Sequence, residues 1–168
     1  NNAIYSNTFE NYYICRKHSV MIEIINSIRK YNYWGGNSVD LGYRRMFYTE
    51  KIGQYIGNKL VKVLVGQRRA DKSYILRQLA SQLIVQGVKS ENILYINKEY
   101  MEYITLRSAM ELEELYKAYR QELKPQGKVY LFIDEIQYID QWERFVNSHS
   151  QDLAEPCELF ISGSNSNL

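Results

Sequence analysis

Eight consecutive residues, Gly66-Gln67-Arg68-Arg69-Ala70-Asp71-Lys72-Ser73, have the residue types of an anion site between an apolar strand and a helix. A loop that cradles phosphate needs inward-facing backbone N–H groups, with a Lys and a hydroxyl where the helix begins. The usual pattern is Gly, four intervening residues, then Gly-Lys followed by Ser or Thr. Gly66, Lys72 and Ser73 stand at that spacing, and Asp71 occupies the place of the second glycine. A second group, Val129-Tyr130-Leu131-Phe132-Ile133-Asp134-Glu135, is an apolar strand that runs into two acids. A carboxylate at a strand's end suits Mg²⁺ beside a phosphate loop, and an adjacent Glu can orient or deprotonate water. An isolated Asp-Glu pair more often caps a turn. This one follows a buried strand downstream of a phosphate loop, which favours the chemical role. A third group, Leu159-Phe160-Ile161-Ser162-Gly163-Ser164-Asn165, ends a strand in small polar residues. Ligands in open parallel sheets bind beyond the carboxyl ends of the strands, where Ser164 or Asn165 would meet a γ-phosphate or the attacking water.

The elements that must position these groups alternate. Leu60 to Val65, Asn92 to Asn97, Lys128 to Ile133 and Glu158 to Ser162 have the composition of strands. Ser73 to Gln86 is expected to be helical, with Ile75, Leu76, Leu79, Leu83 and Ile84 on one face. Ala109 to Leu123 and Gln141 to Ser150 are further helices, the first ended by Pro125 and Gly127. Upstream, Met21 to Tyr31 and Tyr48 to Ile56 have helical spacing, separated by the turn Trp34-Gly35-Gly36-Asn37, with Gly57 closing the second. The pattern predicts an α/β fold with a mainly parallel sheet covered on both faces. It divides the chain into a helical or irregular N-terminal segment, 1–42, and a core, 43–168. Met21 is a candidate translation start, because the residues before it are polar and weakly patterned.

Composition narrows the class. With 168 residues, 45% hydrophobic and 24% charged, the chain can bury one core. A net charge of +2 does not mark a strong polyanion binder. The two cysteines, Cys15 and Cys157, lack metal-ligand spacing and suit reduced thiols. No apolar run approaches the roughly 20 residues of a membrane span, so the expected location is the cytoplasm and no membrane partner is expected.

Lys62-Val63-Leu64-Val65-Gly66-Gln67-Arg68-Arg69 with Lys72-Ser73, Leu131-Phe132-Ile133-Asp134-Glu135-Ile136-Gln137, Trp142-Glu143 and Ile161-Ser162-Gly163-Ser164-Asn165 resemble in combination a prokaryotic AAA-type P-loop ATPase family. The resemblance runs from about Tyr43 to the end. It implies a three-layer P-loop NTPase sandwich, with the sensor strand between the phosphate-loop and magnesium strands. ATP and Mg²⁺ are the implied cofactors. By that resemblance residues 66–73 hold the nucleotide: Lys72 contacts the β- and γ-phosphates and Ser73 ligates Mg²⁺. Asp134 holds the metal through water, Glu135 activates the hydrolytic water, and Ser164 or Asn165 senses the γ-phosphate. Gln137 lies near the site without an assigned role. Arg68 and Arg69 face phosphate or pair with acids, and Arg44 and Arg45 either help close the pocket or lie on a solvated surface. Family members continue with a lid and a C-terminal domain, helix-turn-helix or nuclease-like, which would engage a protein or nucleic acid. The sequence is accordingly expected to be a fragment.

Asp71 bears on activity. Aspartate tolerates left-handed backbone at a cost of about 1–2 kcal/mol. Charge costs more: at about 5 Å and an effective dielectric near 20, each like-charge pair costs roughly 3 kcal/mol before screening. ATP affinity is therefore expected to be at least about 100-fold below that of an Asp71→Gly variant. Asp71 is either a lesion in an otherwise active site or the mark of a pseudo-ATPase, where it fills the anion site by pairing with Lys72 or Arg68. The rival function is a nucleotide-independent binding module, such as a nucleic-acid-binding domain. Its support is Tyr12, Tyr13, Tyr31, Tyr33 and Trp34 interleaved with Arg16, Lys17, Arg29 and Lys30.

Overall fold

A computed structural model describes residues 19–67 and 70–164. Helix α1 covers residues 19–28 and tightens into a 3₁₀ turn over Arg29–Tyr31. Helix α2, Met46–Gly53, begins and ends earlier than its sequence pattern suggests. Its C-cap is Gln54, while Gly57 instead donates its N–H to Glu158 Oε1 at 2.7 Å. Then follow β1 (Lys62–Val65), α3 (Lys72–Val85), β2 (Ile93–Asn97), α4 (Ala109–Leu123), β3 (Val129–Asp134), α5 (Trp142–Gln151) and β4 (Cys157–Gly163). The alternating grammar of the sequence is borne out.

All strand pairs are parallel, and the order β1-β4-β3-β2 places β4 between β1 and β3. Successive side chains of a strand face opposite sides of a sheet, and the core divides accordingly. Ile93, Tyr95, Phe132 and Phe160 meet Ile75, Leu76, Leu79 and Leu83 of α3. Phe132 and Phe160 stack with ring centroids 4.4 Å apart. Leu94, Ile96, Leu131, Ile133, Leu159 and Ile161 meet the apolar stripes of α1, α4 and α5 on the other face. This is the three-layer α/β sandwich. Met21, Ile24, Ile25, Ile28 and Trp34, all ahead of Tyr43, share the second of these clusters.

Local chemistry explains where the elements begin. Ser108 and Glu111 form a capping box at the start of α4, each side chain bonding the other's backbone N–H. At β2, the outer strand, the Asn32 side chain both donates to Tyr95 O (3.1 Å) and accepts from Tyr95 N (2.7 Å). Trp34 Nε1 donates to Ile93 O at 2.7 Å, and Tyr103 Oη to Tyr95 O at 3.1 Å. Side chains thus satisfy backbone groups that a further strand would otherwise use. No helix among the described residues is long and apolar enough to cross a membrane.

Candidate functional site

Four parallel strands carry their carboxyl ends to one side of the sheet, and the residues there form a cleft. Its volume is about 620 Å³, and Ala70, Asp71, Lys72, Ser73, Tyr74, Arg77, Glu99 and Glu135 line it. Ala70, Asp71, Lys72, Ser73 and Glu135 are therefore gathered at one place. Lys72, the first residue of α3, is buried and donates to Gly66 O at 3.0 Å and Gln67 O at 2.9 Å. Its Nζ also lies 3.4 Å from Glu135 Oε1. The ammonium is thus already inside the loop, held by two carbonyls and one carboxylate. Arg68, Arg69 and Asn165 lie outside the described residues.

Asp134, at the end of β3, is fully buried and accepts hydrogen bonds from three side chains. Tyr95 Oη reaches Oδ2 at 3.0 Å and Asn97 Nδ2 reaches it at 3.2 Å, while Ser162 Oγ donates to Oδ1. Glu135, the next residue, has left-handed backbone (φ 57°, ψ 48°). That costs a non-glycine residue about 1–2 kcal/mol. Gln137 Nε2 donates to Glu135 Oε2 at 2.6 Å, and Ser164 Oγ donates to the same oxygen at 2.9 Å. Burial pushes the Glu135 carboxyl up, but Gln137, Ser164 and the Lys72 ammonium outweigh it and hold the pKa below the ordinary value. The group is ionised at neutral pH.

Asp71 also has left-handed backbone (φ 58°, ψ 18°), the conformation a glycine would supply there. Its carboxylate does not pair with Lys72. It pairs with Arg45, whose guanidinium Nη2 donates to Oδ2. A solvated Arg45 surface is thus replaced by an ion pair against the loop, and part of the charge that sequence reasoning assigned to Asp71 is cancelled. Arg44 lies elsewhere, in a separate groove between α2 and α3.

Several residues at this end of the sheet have no conspicuous sequence motif. Asn97 had the strongest available signal, a polar residue closing an apolar strand. Ser162 was visible in the third strand group, but its bond to Asp134 depends on the alignment of β3 with β4. Tyr95 had no signal, because its reach follows from the pairing of Asn97 with Asp134. Tyr74 and Arg77 are simply one turn of α3, with the Arg77 guanidinium 4.4 Å above the Tyr74 ring.

Comparison with known proteins decides the family. The model of a family described as an AAA domain matches residues 58–168. The chain belongs to that AAA domain family. An uncharacterized protein of Haemophilus influenzae is 37% identical over 123 residues, covering 72% of this chain and 29% of that protein. An uncharacterized protein of Methanocaldococcus jannaschii is 33% identical over 113 residues, covering 67% of this chain and 23% of its own length. The AAA domain described here therefore spans less than a third of the curated relatives it matches. The match supports nucleotide binding of the P-loop ATPase kind as the family's general property.

Proposed function

We propose that this AAA domain binds ATP with Mg²⁺ and that its site is built for hydrolysis, with Asp71 weakening the binding. The observation that carries the proposal is the convergence of Lys72, Ser73, Asp134 and Glu135 at the carboxyl end of one parallel sheet, with three of these four bordering the same cleft. The donor set fits the ligand. Mg²⁺ bound with a nucleotide takes one or two protein oxygens, the rest coming from phosphate and water. Ser73 and the preorganised Asp134 would supply those oxygens. Lys72 would exchange its two carbonyl partners for phosphate oxygens, and Mg²⁺ would offset phosphate charge. Glu135 would orient the water and take its proton, with Gln137 and Ser164 fixing the carboxylate. Arg68, Arg69 and Asn165 are proposed members of the same site from sequence.

Of the residues behind the nucleic-acid alternative, Tyr12, Tyr13, Arg16 and Lys17 lie outside the described residues, and the aromatic residues that follow are largely packed. Tyr33 and Trp34 are buried, and Trp34 stacks on Tyr119 with centroids 5.7 Å apart. Tyr31 lies against Tyr100, and Lys30 pairs with Glu102 at 2.7 Å. Tyr33 and Trp34 are thus committed to the fold, and Tyr31 is half-buried.

Calorimetry with Mg-ATP on the chain and on Asp71→Gly tests the proposal. Arg45 cancels roughly half of the like-charge cost, so the glycine variant is expected to bind about tenfold tighter, not the hundredfold of an unpaired carboxylate. Absence of binding by both would refute the assignment for this domain.

A further inference from the structure

We propose that Arg45 is a positioning residue of the phosphate loop, a counter-charge that keeps a loop containing Asp71 able to accept a polyphosphate. The inference rests on the nucleotide reading above. Three observations support it. First, the guanidinium reaches Asp71 across 26 residues of sequence and forms an ion pair with it. Second, the chain segment that delivers Arg45 is fastened to α3 by dedicated bonds. The buried Gln78 amide donates to Leu41 O at 2.7 Å and Tyr43 O at 2.8 Å, and its oxygen accepts from Arg45 N at 2.9 Å. Arg77 Nη1 adds a bond to Asp40 O at 2.9 Å. Third, the segment passes so close to α3 that a side chain at Gly42 would force the Tyr74 ring to shift. A Cβ there would lie 2.4 Å from the Tyr74 ring, and φ is +55°.

An arginine held this way affects binding more than stability. Arg45 and Asp71 side chains retain 39% and 34% exposure, and exposed ion pairs contribute little to folding. Beside a polyphosphate the same pair matters more, because each like charge near the ligand weakens binding unless a cation is fixed next to it. Asp71 in turn tethers the guanidinium. Without the tether, the arginine turns into solvent and its influence is screened.

The test is Mg-ATP calorimetry on the chain, Arg45→Ala, Arg45→Lys, Asp71→Gly and the Arg45→Ala/Asp71→Gly double variant, with adenosine as the ligand lacking phosphate. Arg45→Ala is expected to weaken Mg-ATP binding at least tenfold when Asp71 is present and less than threefold in the Asp71→Gly background. Arg45→Lys should recover most of the loss, adenosine should show no such coupling, and melting without nucleotide should change little. Equal losses in both backgrounds, or the same coupling with adenosine, would overturn the role of Arg45 while leaving nucleotide binding intact. Binding by Asp71→Gly alone, with none by the parent chain, would also overturn it, since Arg45 would then offset nothing. No binding by any variant would overturn the nucleotide reading and this inference together.

Discussion

Replacing Glu158 by Ala is expected to lower the unfolding free energy by about 3–5 kcal/mol, because it strands a buried cation. Glu158, near the start of β4, is almost completely buried. It accepts from Lys62 Nζ, from Lys128 Nζ at 3.2 Å and from Gly57 N at 2.7 Å. Lys62 is itself buried, 5.4 Å from the centroid of the Phe160 ring. Without Glu158 its ammonium keeps Asn58 Oδ1 at 3.1 Å as a partner and no counter-charge. Urea unfolding of parent and variant measures the difference. A loss below about 1 kcal/mol would mean the pair behaves like an exposed one. Acid gives a second reading. Burial pushes the Glu158 carboxyl up, but Lys62, the Gly57 N–H and Lys128 pull its pKa below the ordinary 4.5. A depressed folded pKa contributes stability that is complete above the unfolded value and disappears as pH falls through the folded one. The parent should therefore lose more stability than Glu158→Ala between about pH 5 and pH 3. Parallel pH profiles would contradict this.

In an Asp71→Gly background, Glu135→Gln is expected to slow phosphate release about 10²- to 10⁴-fold, the usual contribution of a positioned general base. Mg-ATP affinity should change by no more than a few-fold, because Gln has the same shape and Lys72 keeps its proposed phosphate contacts. The separation of turnover from binding is the informative result. Single-turnover phosphate release alongside calorimetry measures both. Unchanged turnover would remove Glu135 from the chemistry and leave it as a partner of Lys72.

How much of this was legible in the sequence differs between elements. The four strands and the covered parallel sheet follow from short β-branched runs separated by amphipathic helices, a periodicity local to each segment. The placement of β4 between β1 and β3 came from resemblance, since nothing within a strand states its neighbours. Lys72, Ser73, Asp134 and Glu135 were visible because each is a polar residue at the junction of an apolar strand or at a helix start. The partners of these residues were not. Tyr95, Ser162 and Gln78 act through register and packing across 28 to 39 residues of sequence, and such distances leave no local mark. Arg45 is the clearest case. Its pairing with Asp71 depends on Gln78 fastening a loop to α3, and that cannot be inferred from either residue alone. Glu158 was hidden in the same way, a charge inside a strand pattern whose cation comes from β1.

The two margins of the sheet differ in what they permit. On β2, Asn32, Trp34 and Tyr103 occupy the outward groups of Ile93 and Tyr95. On β1, among the described residues, β4 is the sole strand partner, and Val63 and Val65 are exposed. In the language of polymer growth, the sheet formed by the described residues has one open end and one capped end. Strand-to-strand addition can consume the open margin once, with another segment or with the same margin of a second molecule. Addition at the β2 margin would first have to displace the side chains bonded there. The cover on the β2 margin rests on three side chains, two of them placed ahead of the Gly66–Ser73 loop.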